Sequence, residues 1–160
     1  MIFITLGSQK FQFNRLLEAV DKMIEDGIIN DKVYAQCGNS SYTPKNYDSV
    51  DFLNRDQFGK IMEQSDLVIT HAGTGAIIGA VKRGKKVIAV PRKKEYNEHV
   101  DNHQVQIVDE FAQMNIIEPC YSVDKLEDAY INVMSKTYAT YQSNTEVYIS
   151  TINNYLESLL

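Results

Sequence analysis

Short β-branched runs alternate along this chain with stretches whose apolar residues recur every three or four positions. IFITL (2–6) is the first run, and Phe13, Leu16, Leu17, Val20, Met23 and Ile24 then follow the i, i+3, i+4 spacing of a helix that buries one face. Gly27 is placed to end that helix. KVYAQ (32–36) reads as a second strand, closed by Cys37-Gly38-Asn39, and a polar loop (SSYTPKN, 40–46) leads to a third, SVDFL (49–53). Phe58, Ile61 and Met62 mark a brief helix before DLVIT (66–70), the fourth strand. Residues 74–84 are helical in pattern, KVIAV (86–90) is a fifth strand, and 99–114 predict a helix on Val100, Val105, Ile107, Val108 and Phe111. NIIEP (115–119) supplies the last strand, and two helices finish the chain, the first opening at SVDKLE (122–127). The second, about 140–160, sets Tyr148, Ile149, Ile152, Tyr155, Leu156 and Leu159 on one face, fit to pack on its own core or to dock a partner.

Strands alternating with helices predict an α/β fold: one domain over 1–160, with a parallel sheet, right-handed crossovers and helices on both faces. In such sheets ligands gather at the carboxyl ends of the strands. That rule selects five loops: Gly7-Ser8-Gln9, Gln36 to Asn39, Leu53-Asn54-Arg55, His71 to Gly75, and Pro91 onward.

Composition narrows the classes. With 160 residues, 44% hydrophobic and 23% charged, the chain has the make-up of one globular domain. A net charge of −5 argues against a nucleic-acid binder. No apolar run approaches the roughly 18–20 residues of a membrane span. Cys37 and Cys120 have no metal-like spacing, and MIFITLGSQ has no signal-peptide pattern, so both thiols are expected reduced in a cytosolic chain. Lys82, Arg83, Lys85, Lys86, Arg92, Lys93 and Lys94 crowd into one stretch. They read either as cations at helix ends or as a patch for an anionic partner or membrane face.

The candidate chemistry lies in two clusters. THAGTG (70–75) carries the chain from a strand into a helix, where backbone N–H groups and the helix dipole favour an anion. Gly73 and Gly75 would let a phosphate approach the backbone, Thr74 could cap the helix or donate to phosphate, and His71 could reach the same anion. The plainer alternative is a tight turn with a satisfied histidine. The spacing of Gly73, Gly75 and Gly79 is one residue off the dinucleotide fingerprint, and no P-loop motif is present. The second cluster is EYNEHVDNHQ (95–104), in which Asp101 and Gln104 are three apart and would share a helix face suited to sugar hydroxyls. His99 and His103, four apart, are a rival metal pair without a third ligand, and a capped polar helix start is the plain reading.

HAGTG after a strand, KKVIAVPR beyond it, and D-N-H-Q opening a helix together resemble the donor-binding half of GT-B glycosyltransferases of family 28. The resemblance spans residues 1 to about 120. It is nearest to the soluble subunit of two-component transferases, both the eukaryotic enzyme that adds the second N-acetylglucosamine to a dolichol-diphosphate sugar and bacterial capsule and exopolysaccharide enzymes. It implies a Rossmann-like domain equivalent to the C-terminal half of a GT-B enzyme. It also implies that Gly7 and Ser8 face the donor phosphates, and that His71, Gly73, Thr74 and Gly75 meet the diphosphate and ribose. Gln36, Gly38, Phe52 and Leu53 would flank the uracil, and Asp101, Asn102 and Gln104 would hold the donor sugar. No metal or other cofactor is implied, since backbone N–H groups stabilise the departing diphosphate. The resemblance also leads one to expect a ribose-binding glutamate, usual in such enzymes, where this chain has Gly79.

A GT-B site lies between two such domains, and this chain is long enough for one. The resemblance therefore assigns the acceptor site and general base to a membrane-associated partner subunit, which would recruit this cytoplasmic chain to the membrane face. Together they would transfer a hexose or N-acetylhexosamine from a UDP-sugar to a lipid-linked glycan by inversion, with no nucleic acid involved. The rival readings are a non-catalytic enhancer of a partner transferase and an unrelated nucleotide-binding regulatory domain.

Overall fold

The computed structural model describes residues 1–159. Six parallel strands form the sheet: β1 (Ile2–Thr5), β2 (Val33–Gln36), β3 (Asp48–Val50), β4 (Leu67–Thr70), β5 (Lys86–Ala89) and β6 (Glu118–Pro119). Their order is β3-β2-β1-β4-β5-β6, so the winding reverses between β1 and β4. Helices α1 (Asn14–Glu25), α2 (Arg55–Gln64), α3 (Thr74–Val81), α4 (His103–Gln113) and α5 (Leu126–Ser135) flank the sheet, and α6 (Thr145–Glu157) follows.

Strand alternation sorts the core onto two faces. Ile2 and Ile4 of β1 point toward α1 and α5, joining Leu16, Leu17, Val20, Leu126 and Val133. Phe3 points the other way, joining Met62 of α2, Ile77 and Ala80 of α3, and Val108 of α4. β1 and β4 are buried throughout, as expected of strands covered on both sides.

The structure departs from the periodic reading at three places. The third strand stops at Val50, because Asn54 builds a capping box with Gln57 and starts α2, leaving Phe52 and Leu53 in the loop between. The helix expected from residue 99 begins at His103. Residues Lys94–Tyr96 instead make a 3-10 turn ended by Asn97 at φ 57°, and Glu98 turns inward. Val100 is thereby left exposed, and Asp101 lies outside the helix. The last helix does not pack on its own core: no residue of α6 is buried.

Three cations of the basic stretch sit at helix ends. Lys85 Nζ donates to the Glu63 carbonyl in the last turn of α2, and Lys86 Nζ donates to the Val133 and Met134 carbonyls of α5. Arg83 caps α3 at Gly79, and Lys82 lies over the Tyr141 ring. These cations answer the unpaired carbonyls and negative ends of helices.

Candidate functional site

Reversal of strand order opens a crevice at the carboxyl ends of β1 and β4, where open α/β sheets bind ligands. The loop after β1 turns at Gly7 (φ +71°) and the loop after β4 turns at Ala72 (φ 65°), a buried residue in a left-handed conformation that non-glycine residues seldom adopt. Between the loops stands His71. A Cβ on Gly7 would lie 2.7 Å from the imidazole Cε1, and one on Gly73 would lie 2.5 Å from Nε2. Both positions must be bare because a ring occupies the space between them.

His71 is buried, and its Nδ1 lies 3.1 Å from the Thr5 carbonyl. Burial, aided by the nearby Arg92 charge, pulls its pKa down to about 4. The ring is therefore neutral near pH 7, and since a carbonyl only accepts, Nδ1 carries the proton and Nε2 presents a lone pair. To donate to an anion from Nε2, His71 would first have to gain a proton. Stability follows from the same shift. An unfolded histidine titrates near 6.5, so the neutral ring's contribution is full above that pH and is lost as pH falls toward 4. His71→Gln is expected to remove about 3 kcal/mol of acid destabilisation between pH 7 and 4, measured by urea unfolding at stepped pH. An unchanged pH slope would overturn the assignment.

Gln36 ties the crevice together. Its Nε2 donates to the Gly7 carbonyl at 3.3 Å, and its Oε1 accepts the Leu53 N–H at 3.1 Å. Gly7, Ser8, Gln36, Leu53, His71, Gly73 and Gly75 thus line one cleft of about 440 Å³, with Thr5, Gln9, Arg55, Phe58 and Ala76. The volume is within the ordinary range for a small-molecule site. Arg55, in the first turn of α2, is the only charged side chain of that lining among the described residues. Sequence reasoning placed its loop on the rim and passed over the residue itself, although an arginine opening a helix on the same rim as a glycine-rich loop was the available signal.

Other expected residues stand elsewhere. Gly38 (φ +60°) is outside the lining, and a Cβ there would meet the Gly7 carbonyl at 2.9 Å, so its bareness serves loop packing. Phe52 is exposed and outside the lining. Thr74 does not cap α3: Gly73 is the N-cap residue and Thr74 occupies the first helical position, exposed to solvent.

The Asp101–Gln104 cluster is divided, not joined on one helix face. Asp101 is exposed; its Oδ1 accepts the His103 N–H and faces His99 Nδ1 at 3.0 Å, which hold its carboxyl below the usual range. Asn102 Oδ1 accepts the Lys94 N–H, while Gln104 is buried with Oε1 accepting the Arg92 N–H at 2.9 Å. His99 precedes α4, so it and His103 do not form an i, i+4 pair on a helix, and His103 Nδ1 faces Gln106 instead. Glu98 is a structural group, fully buried against Arg15 Nε and Nη2 at 2.5 and 2.9 Å, and it accepts the Lys93 N–H.

Residues 1–158 match the glycosyltransferase family 28 C-terminal domain. The chain belongs to that family. Its curated relatives include the UDP-N-acetylglucosamine transferase subunit ALG13 of Candida albicans, 36% identical over 83 residues, which are 51% of this chain and 26% of that protein. The subunit of the same name from Saccharomyces cerevisiae is 38% identical over 60 residues, covering 38% of this chain and 28% of that one. The matched stretch is thus about a quarter of those relatives' length. Among solved structures, that of ALG13 aligns with 94% of this chain and 93% of its own at TM-score 0.58 and 18% identity. MurG of Acinetobacter baumannii aligns with 84% of this chain and 41% of its own at TM-score 0.57 and 18% identity. These likenesses establish the Rossmann-like half of a GT-B glycosyltransferase as the fold of this family 28 domain.

Proposed function

We propose that this family 28 domain is the donor-binding subunit of an inverting transferase that uses UDP-N-acetylglucosamine, completed by a membrane-associated partner. The observation that carries the reading is the convergence of Gly7, Ser8, Gln36, Leu53, His71, Gly73 and Gly75 on one cleft at the switch point of the sheet. The names of the related subunits favour N-acetylglucosamine over hexoses in general, and lend nothing to a capsule or exopolysaccharide setting.

The chemistry follows from the cleft. Uracil lies toward Gln36 and Leu53, and the diphosphate lies over Gly7, Gly73 and the amino end of α3 with Arg55 at the lip. The acceptor hydroxyl on a lipid-linked glycan attacks the anomeric carbon from the partner's side while its proton passes to a base there. The bond from that carbon to the β-phosphate oxygen breaks, and UDP leaves against N–H groups and a cation already in position. Asp101, in the loop just before α4, is the group offered to sugar hydroxyls. Among the described residues no helix is long and apolar enough to cross a membrane, and the partner supplies the attachment. We assign α6, exposed along Val147, Tyr148, Ile149, Ile152, Tyr155 and Leu156, as the surface it meets.

The test is N-acetylglucosamine transfer from UDP-N-acetylglucosamine to a lipid-diphosphate acceptor, with the chain alone and co-expressed with the partner. Activity is expected only from the pair; full activity from the chain alone would overturn the two-subunit reading. Truncation after Asn144 is expected to change stability by less than about 0.5 kcal/mol, keep UDP binding and abolish partner-dependent transfer.

Gly79 gives a further handle. A Cβ there meets only Arg83 Nη1, at 3.8 Å, so a side chain fits. Gly79→Ala is expected to stabilise α3 by about 1 kcal/mol. Gly79→Glu, supplying the acid that the family resemblance leads one to expect, is expected to tighten UDP binding by about 1.5–3 kcal/mol in calorimetry. No gain would show that the ribose contact is not made from this turn of α3.

A further inference from the structure

Arg92 is the largest fully buried side chain in the domain, and the mechanism above does not use it. It follows β5 in a run of basic residues that otherwise face solvent or helix ends. Its Nη2 donates to the carbonyls of Leu6 at 2.9 Å and Phe11 at 3.0 Å, the two flanks of the Gly7 loop. Its own N–H is held by Gln104. One residue thus joins the floor of the diphosphate loop to the first turn of α4.

Its charge is not neutralised locally. Nε and Nη1 meet no acceptor among the described residues. Glu98, the acid whose charge acts on it, is bound to Arg15, so Arg92, Arg15 and Glu98 together leave one net positive charge under the loop. Burying such a group is costly unless something recovers the loss. An anion at the mouth of the same loop would do so through low-dielectric protein.

We propose that Arg92 is a positioning residue for the donor diphosphate: its guanidinium braces the Gly7 loop from below and gives the cleft a fixed positive charge that never touches the ligand. This rests on the donor-binding reading above. The division of labour suits His71, which is faced by the charged Arg92 from the end of β5 and by the titratable His99 from the loop before α4, with Thr5 and Thr70 as its polar neighbours. Arg92 supplies the positive charge and adds to the burial that keeps the imidazole neutral. Desolvation lowers its own pKa to about 10, opposed by Glu98, so it stays charged at working pH.

The experiment compares Arg92→Gln, which keeps a donor and loses the charge, with Arg92→Lys, which keeps the charge. Calorimetry at pH 8, where His71 is neutral in every variant, measures UDP and uridine separately. Arg92→Gln is expected to weaken UDP roughly tenfold, a charge acting through partly solvated protein, and to leave uridine unchanged. Arg92→Lys is expected to restore UDP binding to within about threefold. NMR titration of the ligand-free protein is expected to move the His71 pKa upward in Arg92→Gln and to leave it in place in Arg92→Lys. Equal losses for UDP and uridine, or a His71 titration that ignores the charge at 92, would make Arg92 merely structural. Should Arg92→Gln fail to fold, the Lys variant decides: UDP affinity and His71 titration near those of the unmodified protein support the proposal, and their loss overturns it. An unmodified protein that binds no UDP overturns the donor reading and this proposal together, whereas the other adverse results remove this proposal alone.

Discussion

Gly73→Ala is expected to cost about 2 kcal/mol of stability, and most of that cost should vanish once His71 is also replaced by alanine. Gly73 has an ordinary φ of −70°, so alanine meets no backbone penalty there. The whole effect comes from the new methyl, 2.5 Å from His71 Nε2 and 2.7 Å from Cε1. Neither side can yield, since the ring is backed by Gly7 and anchored on the Thr5 carbonyl. Overpacking of this kind costs roughly 1–3 kcal/mol. Urea unfolding of the two single variants and the double variant gives the coupling directly, expected at about 1.5–2 kcal/mol. Additive losses would mean that the ring does not fill the space between the glycines. Gly7→Ala should be worse by a further 1–2 kcal/mol or so, because its φ of +71° is disfavoured for any L side chain.

A second large effect is expected at the buried ion pair. Arg15→Met should destabilise the domain by about 3 kcal/mol or more, because it strands a carboxylate in the interior. Glu98 has a side-chain exposure of 1%, with both oxygens held by the Arg15 guanidinium. That guanidinium also lies 4.3 Å from the Tyr96 ring centre and 5.2 Å from that of Phe13. Replacing both partners, Arg15→Met with Glu98→Met, should recover much of the loss, since the stranded carboxylate is removed with its partner. Thermal unfolding of the three variants checks it, and a double variant as unstable as Arg15→Met would place the energy in the ring contacts instead.

The architecture was legible in the sequence because its signals repeat: Ile2, Phe3 and Ile4 alternate between two cores, and Leu16, Leu17 and Val20 recur with the helical period. Single events were harder to read. Val100 fits a helical spacing by coincidence, and the start of α4 was moved to His103 by Glu98, whose partner Arg15 lies 83 residues away. In the site, the glycines suggested close approach of a phosphate, and their packing role was not visible. Gly73 and Gly7 bracket an imidazole, a relation between two distant loops that no local pattern encodes. Ala72 in a left-handed turn has no signature in its residue type. Arg92 was hidden among lysines that do face outward, so composition argued against its burial.

The segment that leads to α6 has a consequence of scale. Glu118 is buried at the sheet edge and gathers Asn132, Lys136 and the Tyr138 hydroxyl, while Tyr141 packs on the second core. Chain is thus pinned as far as Tyr141, and α6 starts at Thr145. Four peptide steps reach at most about 14 Å. The final helix therefore works on a short leash from a fixed peg beside β6. A protein caught by it is kept at millimolar effective concentration near this edge of the domain, so even weak contacts elsewhere between the two would be held closed most of the time.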